Sequence, residues 1–405
     1  MAKVYDVAII GAGPGGSATA HYLAQAGLDV LLLDKSDFPR DKTCGDGLTP
    51  RALHILDDMG ILPEISRAGF QINGLELHAS SGAMMDTVIP DHSEYPNHLL
   101  IVPRLQLDEI IRRRAVQSGA KFESPVRVRS LNYEKKSVRI YANQFGKKLQ
   151  FHAKLLVIAV GANLGVLQEL GIFVKKPNMI MGARAYFENT KSLGDRIQAH
   201  FANVSMPGYG WVFPTSKTSA NIGLGLWSSP KPIVGKKASI RTEMENFLSG
   251  PKIKPMLEGA SMQGAIQSYP LRIDFNSAPT FGERILLVGE SAGLVSPLTG
   301  EGIDFALESG QLAAKFIQAK MPAGDFSPPV LTEYDQILRN QFRSIFRFLN
   351  YVRGFYLNPI LMDRAIKVAN KHTEIKRILT SVLMSQQHPS EMISPAVLRR
   401  VIIGN

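Results

Sequence analysis

Four residues near the start of the chain have the types and spacing needed to hold a dinucleotide. Gly11, Gly13 and Gly16 follow the pattern G-x-G-x-x-G, and Asp34 lies 18 residues after Gly16. Gly11 permits a tight turn, Gly13 leaves bare backbone for a pyrophosphate, and Gly16 lets the next helix pack closely. A carboxylate at Asp34 is placed to accept hydrogen bonds from a ribose hydroxyl. The pattern therefore predicts a nucleotide site.

A second stretch, residues 284–303, has related chemistry. An apolar run ends at Gly289-Glu290, and a helix is predicted to open across Pro297, Gly300, Gly302 and Ile303. A carboxylate at Glu290 could bond a ribityl hydroxyl, and free N–H groups at a helix start stabilise negative charge. Two separated elements that converge on one extended ligand favour FAD over NAD.

Alternating strands and helices must position these groups. The predicted elements are a buried strand at 4–10, a helix at 17–26 that ends at Gly27, and a strand at 30–33. Val126 and Val128 flank the predicted third strand of this sheet, and 154–162 is a further buried strand that ends at the Gly161 turn. The nucleotide site is thus predicted to lie on an α/β fold.

Residues 70–100 and 177–279 alternate between apolar and polar positions and contain turn signals, which predicts a second, sheet-rich domain. With a period of two, Tyr209, Trp211 and Phe213 project from one face of a strand. They form either an aromatic wall beside a ligand or a cross-strand core. The next predicted strand, 221–225, contains glycines at points where a ligand could approach.

Composition narrows the functional classes. The single cysteine, Cys44, excludes a disulfide framework and a cysteine-based zinc site, so no metal site is predicted. No run of 18 apolar residues occurs, and the first strand begins too early for a signal peptide, which predicts a cytoplasmic location with or without peripheral contact at the inner membrane face. The net charge of +11 suits an anionic partner, but no nucleic-acid module is recognisable.

The segment 331–405 is predicted to be helical and holds 11 Lys and Arg against 5 Asp and Glu. Its arginines are interleaved with aromatic and aliphatic residues: Arg339, Arg343, Arg347 and Arg353 with Phe342, Phe346, Phe348, Leu349, Val352 and Phe355. Such a helix lies on an anionic membrane or packs on the cofactor domain, and periodicity alone does not separate the two.

The run Lys42-x-Cys44-Gly45-Asp46-Gly47-Leu48-Thr49-Pro50-Arg51 resembles the geranylgeranyl reductase family of flavoproteins, and is most similar to its bacterial menaquinone reductase branch. The run 207–214 matches the family's P-x-x-Y-x-W-x-F-P signature when its first proline is counted loosely. The resemblance implies a fold of the p-hydroxybenzoate-hydroxylase and glutathione-reductase type. It divides the chain into a Rossmann-like FAD-binding domain (1–75, 98–165 and 280–320), an antiparallel-sheet substrate domain (76–97 and 166–279) and a helical C-terminal region (321–405).

The resemblance also implies roles for individual residues. Cys44 would lie near the flavin, although it could equally be a small buried filler, and Arg104 would reach the cofactor unless it only pairs with Asp108. Two positions depart from the pattern that the resemblance implies: many relatives have Asp at the position of Val160, and relatives normally have Asp at the position of Glu290. The predicted catalytic residues are Tyr209, Trp211 and Cys44, and the predicted substrate-binding residues are Tyr209, Trp211 and Phe213. The predicted FAD-binding residues are Gly11, Gly13, Gly15, Gly16, Asp34, Lys35, Cys44, Gly45, Asp46, Gly47, Arg104, Val126, Gly161, Gly289, Glu290, Pro297, Gly300, Gly302 and Ile303.

The reaction implied by the resemblance is saturation of a C=C bond in a prenyl lipid or prenylquinone. A hydride would pass from flavin N5 to one carbon and a proton from an unidentified donor to the other. NAD(P)H or a redox-protein partner would supply the electrons. The alternatives are an aromatic hydroxylase, a non-catalytic flavin-binding module and a flavin-dependent halogenase. The halogenase is disfavoured because Tyr209 replaces its first tryptophan and no lysine occurs between Lys42 and Lys121. The number of bonds reduced and the oligomeric state are left open.

Overall fold

The computed structural model describes residues 3–172, 177, 179–227, 239–356 and 358–386. The first strands in chain order are β1 (Val4–Ile10), β2 (Val30–Leu33), β3 (Gly47–Leu48), β4 (Phe70–Ile72), β5 (Gly74–His78), β6 (Met84–Val88), β7 (Leu99–Ile101), β8 (Lys121–Glu123) and β9 (Arg127–Tyr133). The later strands are β10 (Val138–Gln144), β11 (Lys147–Ile158), β12 (Met179–Glu188), β13 (Arg196–His200), β14 (Gly208–Ser216), β15 (Ser219–Trp227), β16 (Ser261–Arg272), β17 (Phe281–Gly282) and β18 (Ile285–Leu287).

The helices in the described ranges are α1 (Pro14–Gln25), α2 (Pro50–Asp58), α3 (Leu62–Ala68), α4 (Arg104–Gln117), α5 (Leu164–Glu169), α6 (Ile240–Leu248), α7 (Ile303–Lys320), α8 (Pro328–Tyr356), α9 (Pro359–Lys371) and α10 (Thr373–Leu383). Single turns of 3₁₀ helix occur at Lys254–Leu257 and Gly289–Ala292. Helix α1 begins at Pro14, three residues before its predicted start, because proline suits the first helical turn.

The first sheet has the order β17-β18-β11-β1-β2-β8, and β10 and β9 extend it through β11. Strand β1 runs parallel to both β2 and β11, and its side chains from Val7 to Ile10 are buried, as expected for a sheet covered on both faces. The predicted position of the third parallel strand was wrong. That strand is β8, which precedes both Val126 and Val128, whereas Val128 belongs to β9 and pairs antiparallel with β10.

The second sheet has the order β16-β12-β15-β14-β13-β5-β6, and every neighbouring pair is antiparallel except β13 and β5. It begins at Gly74, two residues before the predicted start of the substrate domain at 76. Strands β3, β7 and β4 form a small third sheet. The α/β fold class with a separate antiparallel sheet is confirmed, while the exact domain boundaries stay a prediction.

The C-terminal helix α8 packs its aromatic face on the first domain. Phe342 and Phe346 are fully buried, and the Phe346 ring lies 5.1 Å from the ring centroids of both Phe275 and Phe305. Arg339 pairs with Asp335 and donates a hydrogen bond to the Phe275 carbonyl. These aromatic residues therefore belong to the core and not to a membrane-facing surface.

The rest of the predicted C-terminal helical region is partly described. Arg343 and Arg347 of α8 are exposed, and the side chain of Phe355 and residues 387–405 lie outside the described part of the chain. Among the described helices, none combines the length and apolarity needed to cross a bilayer.

Candidate functional site

A cavity of about 820 Å³ lies between the two large sheets, at the upper end of the usual range for ligand pockets. Most of the predicted site residues line it: Gly11, Gly13, Gly15, Asp34, Lys35, Cys44, Gly45, Asp46, Gly47, Arg104, Val126, Gly161, Tyr209, Trp211, Phe213, Gly289, Glu290, Gly300, Gly302 and Ile303. Two predicted cofactor residues do not line it. Gly16 instead packs helix α1 against the Gly11 carbonyl and the Ala159 side chain. The Pro297 carbonyl accepts a hydrogen bond from the Trp227 indole N–H at 2.8 Å.

The β1–α1 turn supplies one end of the cavity. Gly11 has a φ of +108°, and a Cβ there would lie 2.3 Å from the Ala159 carbonyl oxygen, so only glycine fits. Gly13 is the N-cap of α1 and provides no side-chain cap. Among the described residues, a Cβ on Gly13 would meet only Arg40 Nη2, at 3.7 Å. The helix therefore opens onto the cavity with bare backbone.

The Asp34 carboxylate is held in place at the end of β2. It accepts the Ala12 backbone N–H at 2.8 Å on Oδ2 and the Ser36 backbone N–H at 2.9 Å on Oδ1. A carboxylate has about four acceptor sites, so a ribose hydroxyl could still bind. The side chain is buried but lines the cavity, and its role toward a ribose stays a prediction.

Helix α7 supplies a second uncapped N-terminus to the same cavity. Its N-cap is Gly302, which provides no side-chain cap, and Gly300 and Ile303 line the cavity beside it. The residues present thus fit FAD: two bare helix starts face one elongated cavity, one for the pyrophosphate and one for the anionic edge of a reduced flavin.

Glu290 lies at the cavity wall near the Gly161 turn. Glu290 Oε2 pairs with Lys42 Nζ at 3.2 Å, and Oε1 accepts the Arg272 backbone N–H at 3.2 Å. Although burial opposes the charge, Glu290 raises the pKa of the Lys42 ammonium. A Cβ on Gly161, next to Val160, would lie 3.2 Å from Glu290 Oε2. The Glu290 carboxylate therefore lies against the Gly161 turn.

Arg104 is buried at the start of α4 and forms the i,i+4 ion pair with Asp108 that was its alternative role, although this pair is buried and not on the surface. Its Nε and Nη2 contact the two Asp108 oxygens at 2.6 and 2.7 Å, and Arg40 also reaches Asp108, at 2.9 Å. Burial raises the pKa of the nearby Cys44 thiol, and the Arg104 guanidinium opposes that rise. Cys44 lies half-buried on the cavity wall, so its role as a cofactor neighbour stays a prediction.

A buried polar network connects the Cys44–Gly47 loop to the aromatic strand. Asp46 Oδ2 accepts the Tyr186 hydroxyl at 2.6 Å and the Asn221 amide at 2.7 Å. Asn221 also donates to the Cys44 carbonyl at 2.7 Å and accepts the Trp211 indole N–H at 3.0 Å. Burial raises the pKa of Asp46 to about 6. Sequence reasoning assigned no role to Asn221 or Tyr186. The available signal was that Asn221 is a polar residue within an apolar strand.

Tyr209, Trp211 and Phe213 form the aromatic wall on the cavity face of β14. The Trp211 ring lies 6.2 Å from the Tyr209 ring and 6.0 Å from the Phe213 ring. The expectation that glycines of the next strand admit a ligand was wrong for Gly223. A Cβ there would lie 2.3 Å from Trp211 Cζ2, so Gly223 makes room for the indole. The wall thus borders the cavity and also packs on its neighbouring strand.

Beyond the aromatic wall the cavity is apolar. Its lining here consists of Leu75, Leu77, Leu99, Ile101, Ile197, Ala199, Leu383 and Met384. The last two belong to the end of α10, which no sequence pattern linked to the site. Within the described residues, no group of three or more His, Cys, Asp and Glu side chains could hold a metal ion.

The sequence is similar to those of known proteins along most of its length. A family described as "FAD binding domain" matches residues 4–342. The menaquinone reductase of Mycobacterium tuberculosis is 30% identical over 333 residues, which cover 78% of this chain and 77% of that protein. The digeranylgeranylglycerophospholipid reductase of Methanococcus aeolicus is 28% identical over 342 residues, covering 82% and 81%.

Solved structures share the fold over nearly the whole chain. A geranylgeranyl bacteriochlorophyll reductase-like protein from Thermoplasma acidophilum superposes with a TM-score of 0.80 at 19% identity, covering 97% of this chain and 99% of that one. The flavin-dependent brominase Bmp2 superposes with a TM-score of 0.78 at 23% identity, covering 99% of each. At these identities the structures support the fold and do not separate reductases from halogenases.

Proposed function

The chain belongs to the FAD-binding-domain family and to the geranylgeranyl reductase group of FAD-dependent oxidoreductases, and from this premise we propose that it saturates C=C bonds in a prenyl chain. The observation that carries the proposal is the two-part cavity. Its polar end has two bare helix starts, whereas its far end is aromatic and then apolar. An isoprenoid chain is an apolar substrate that such an end would accommodate.

The chain's own residues would orient the substrate and stabilise charge. When bound, FAD supplies the hydride. An isolated alkene is a poor hydride acceptor, so protonation of one alkene carbon would develop positive charge on the neighbouring carbon, which then accepts the hydride. The faces of Tyr209 and Trp211 would stabilise that charge through their negative quadrupole. The menaquinone reductase and digeranylgeranylglycerophospholipid reductase relatives support a prenylquinone or a prenyl lipid as the substrate class.

The electron donor is a separate part of the proposal. The sequence has no second dinucleotide motif. Either NAD(P)H visits the flavin transiently or a redox protein supplies the electrons. Peripheral contact with an anionic membrane would bring the enzyme to its lipid substrate. The net charge of +11 and the exposed arginines of α8 support such contact, while the buried aromatic face of that helix does not contribute to it.

Lipid analysis tests the proposal. Total lipids and quinones from cells with and without the protein would be compared by mass spectrometry. We expect one prenyl compound to gain the mass of two hydrogen atoms per reduced bond when the protein is present. An unchanged lipid and quinone profile, together with NADPH-dependent oxygen uptake on a phenol, would overturn the proposal in favour of a hydroxylase.

A further inference from the structure

Two carboxyl groups adjoin at the start of α7. Glu301 lies on the cavity wall and Asp304, one turn later, is completely buried. Asp304 Oδ1 accepts the Phe305 backbone N–H at 2.7 Å, whereas Oδ2 has no hydrogen-bond donor within the described ranges. The charge of Asp304 acts on the Glu301 carboxyl, and Glu301 Oε2 accepts the Ser385 hydroxyl at 3.2 Å. A proton held between the two carboxyls would satisfy the orphaned oxygen.

The charges around this pair do not favour a double negative charge. From α2, Arg51 faces the pair, but its guanidinium forms an ion pair with Glu308 of α7. From β14 the Tyr209 ring faces Glu301, and Thr49 and Ser385 contribute neutral hydroxyls. Burial, and then the charge of Asp304, raise the pKa of Glu301 well above its usual range. Two carboxylates that repel each other in a buried site share one proton.

Glu301 is also better placed to give up a proton than Tyr209 and Cys44, which line the same cavity. The Tyr209 hydroxyl already donates to the Thr299 carbonyl at 2.5 Å. Burial raises the pKa of the Tyr209 phenol and that of the Cys44 thiol, so both hold their protons more tightly. The Glu301 carboxyl lines the cavity on the side of Tyr209, and the charge of Asp304 favours its protonated form.

We propose that Glu301, with a proton shared with Asp304, is the acid that protonates the prenyl carbon in the reaction under Proposed function, on which this inference rests. The Glu301 O–H bond breaks, and the alkene π pair forms the new C–H bond. The neighbouring carbon receives the hydride supplied by reduced FAD, so the alkene gains two electrons and the cofactor loses two. Solvent then reprotonates Glu301. Asp304 is a positioning residue that holds the proton on Glu301.

The shared proton can be measured without the cofactor. Infrared spectroscopy of the apo-protein at about pH 8, above the pKa of about 6 of Asp46, should show the carbonyl band of a protonated carboxylic acid. Glu301→Gln should remove that band. Glu243→Gln is the matched control, because Glu243 is also buried but accepts its hydrogen bonds from Ser205, away from the cavity. No band in the wild type, or a band that survives in Glu301→Gln, overturns the shared proton.

The donor role is measured by anaerobic single-turnover oxidation of the reduced holoenzyme with a prenylquinone. Glu301→Gln should slow the step by about 100-fold or more, while FAD content and its reduction by dithionite stay unchanged. In the wild type the rate should fall as pH rises through the raised pKa of Glu301. Asp304→Asn removes the neighbouring charge, so this fall should move to lower pH.

The outcomes separate this inference from the function on which it rests. If the wild type reduces the prenyl chain and Glu301→Gln does so equally fast, the donor role is wrong and the proposed function stands. If the wild type leaves every prenyl substrate unchanged although the infrared band is present, the proposed function fails and takes the donor role with it. An Asp304→Asn profile identical to that of the wild type would overturn the coupling of the two carboxyls.

Discussion

Alanine at Gly13 and alanine at Gly16 should have opposite consequences, although the two glycines belong to one motif. Gly13 has a φ of −74°, which any residue adopts, and a Cβ there would lie 3.7 Å from Arg40 Nη2. The Gly13→Ala protein should therefore fold normally, with up to about 1 kcal/mol of added stability from the restricted unfolded chain. A Cβ on Gly16 would lie 1.9 Å from the Gly11 carbonyl oxygen, and overpacking of this kind costs about 1–3 kcal/mol.

Although Gly13→Ala should not destabilise the fold, it should weaken the binding of FAD. The methyl group of Gly13→Ala projects toward the cavity at the bare start of α1 and keeps the pyrophosphate from its backbone N–H groups. One lost hydrogen bond to a charged group is worth about 1.5–3 kcal/mol. The affinity should therefore fall by at least about tenfold. Gly13→Ala is thus predicted to be a stable protein with a weakened cofactor site.

Two measurements on the purified proteins test this contrast. Urea denaturation of each apo-protein gives the change in stability, and quenching of flavin fluorescence gives the affinity for FAD. The reasoning is refuted if Gly13→Ala binds FAD as tightly as the wild type, because the phosphates would then not approach the backbone there. It is also refuted if Gly16→Ala is as stable as the wild type.

Three further predictions concern Asp46, Trp211 and the exposed arginines of α8. Burial raises the pKa of Asp46 from 3.8 to about 6, so the wild-type apo-protein should lose about 3 kcal/mol of unfolding free energy as pH rises through that range. Asp46→Asn should lack this loss. Equal pH dependence of the two proteins in urea titrations would show that Asp46 does not cause the loss. Trp211→Leu and Trp211→Phe both lose the hydrogen bond to Asn221, but only the phenyl ring keeps a π face. Alkene reduction should thus be about two- to thirty-fold slower in the Leu variant, and equal rates would exclude charge stabilisation by the indole. Co-sedimentation with liposomes should require anionic lipid and weaken at high salt and in an Arg343→Gln, Arg347→Gln double variant; equal binding to neutral vesicles would contradict an electrostatic membrane contact.

Local sequence patterns were sufficient for the parts of the fold whose cause is local. The strand 4–10, the glycine turn and Asp34 were predicted because turn geometry, close packing and burial restrict the residue types at each position. The predicted third strand was wrong because β8 has three residues of mixed polarity, whereas the alternation around Val128 belongs to an antiparallel hairpin. Short strands at the end of a parallel sheet leave little periodicity to detect.

Other features depend on contacts between distant parts of the chain. Asn221 joins Cys44, Asp46 and Trp211 only after two sheets have packed together, and Leu383 reaches the cavity from the end of α10. Periodicity allowed the aromatic face of α8 either to lie on a membrane or to pack on the cofactor domain. The packing of Phe346 on Phe275 and Phe305 shows that it packs on the domain. The proton shared by Glu301 and Asp304 depends on burial, which a charge pattern does not reveal.

Anaerobic single-turnover chemistry tests the central claim most directly. The FAD-loaded enzyme would be reduced with dithionite and mixed with a prenylquinone or a geranylgeranyl lipid, with flavin absorbance and product mass recorded together. The account predicts that one flavin is reoxidised for each C=C bond saturated, with a product heavier by two hydrogen atoms. It is contradicted if the flavin stays reduced without oxygen, and if admitting air to a phenolic substrate gives a product heavier by one oxygen atom.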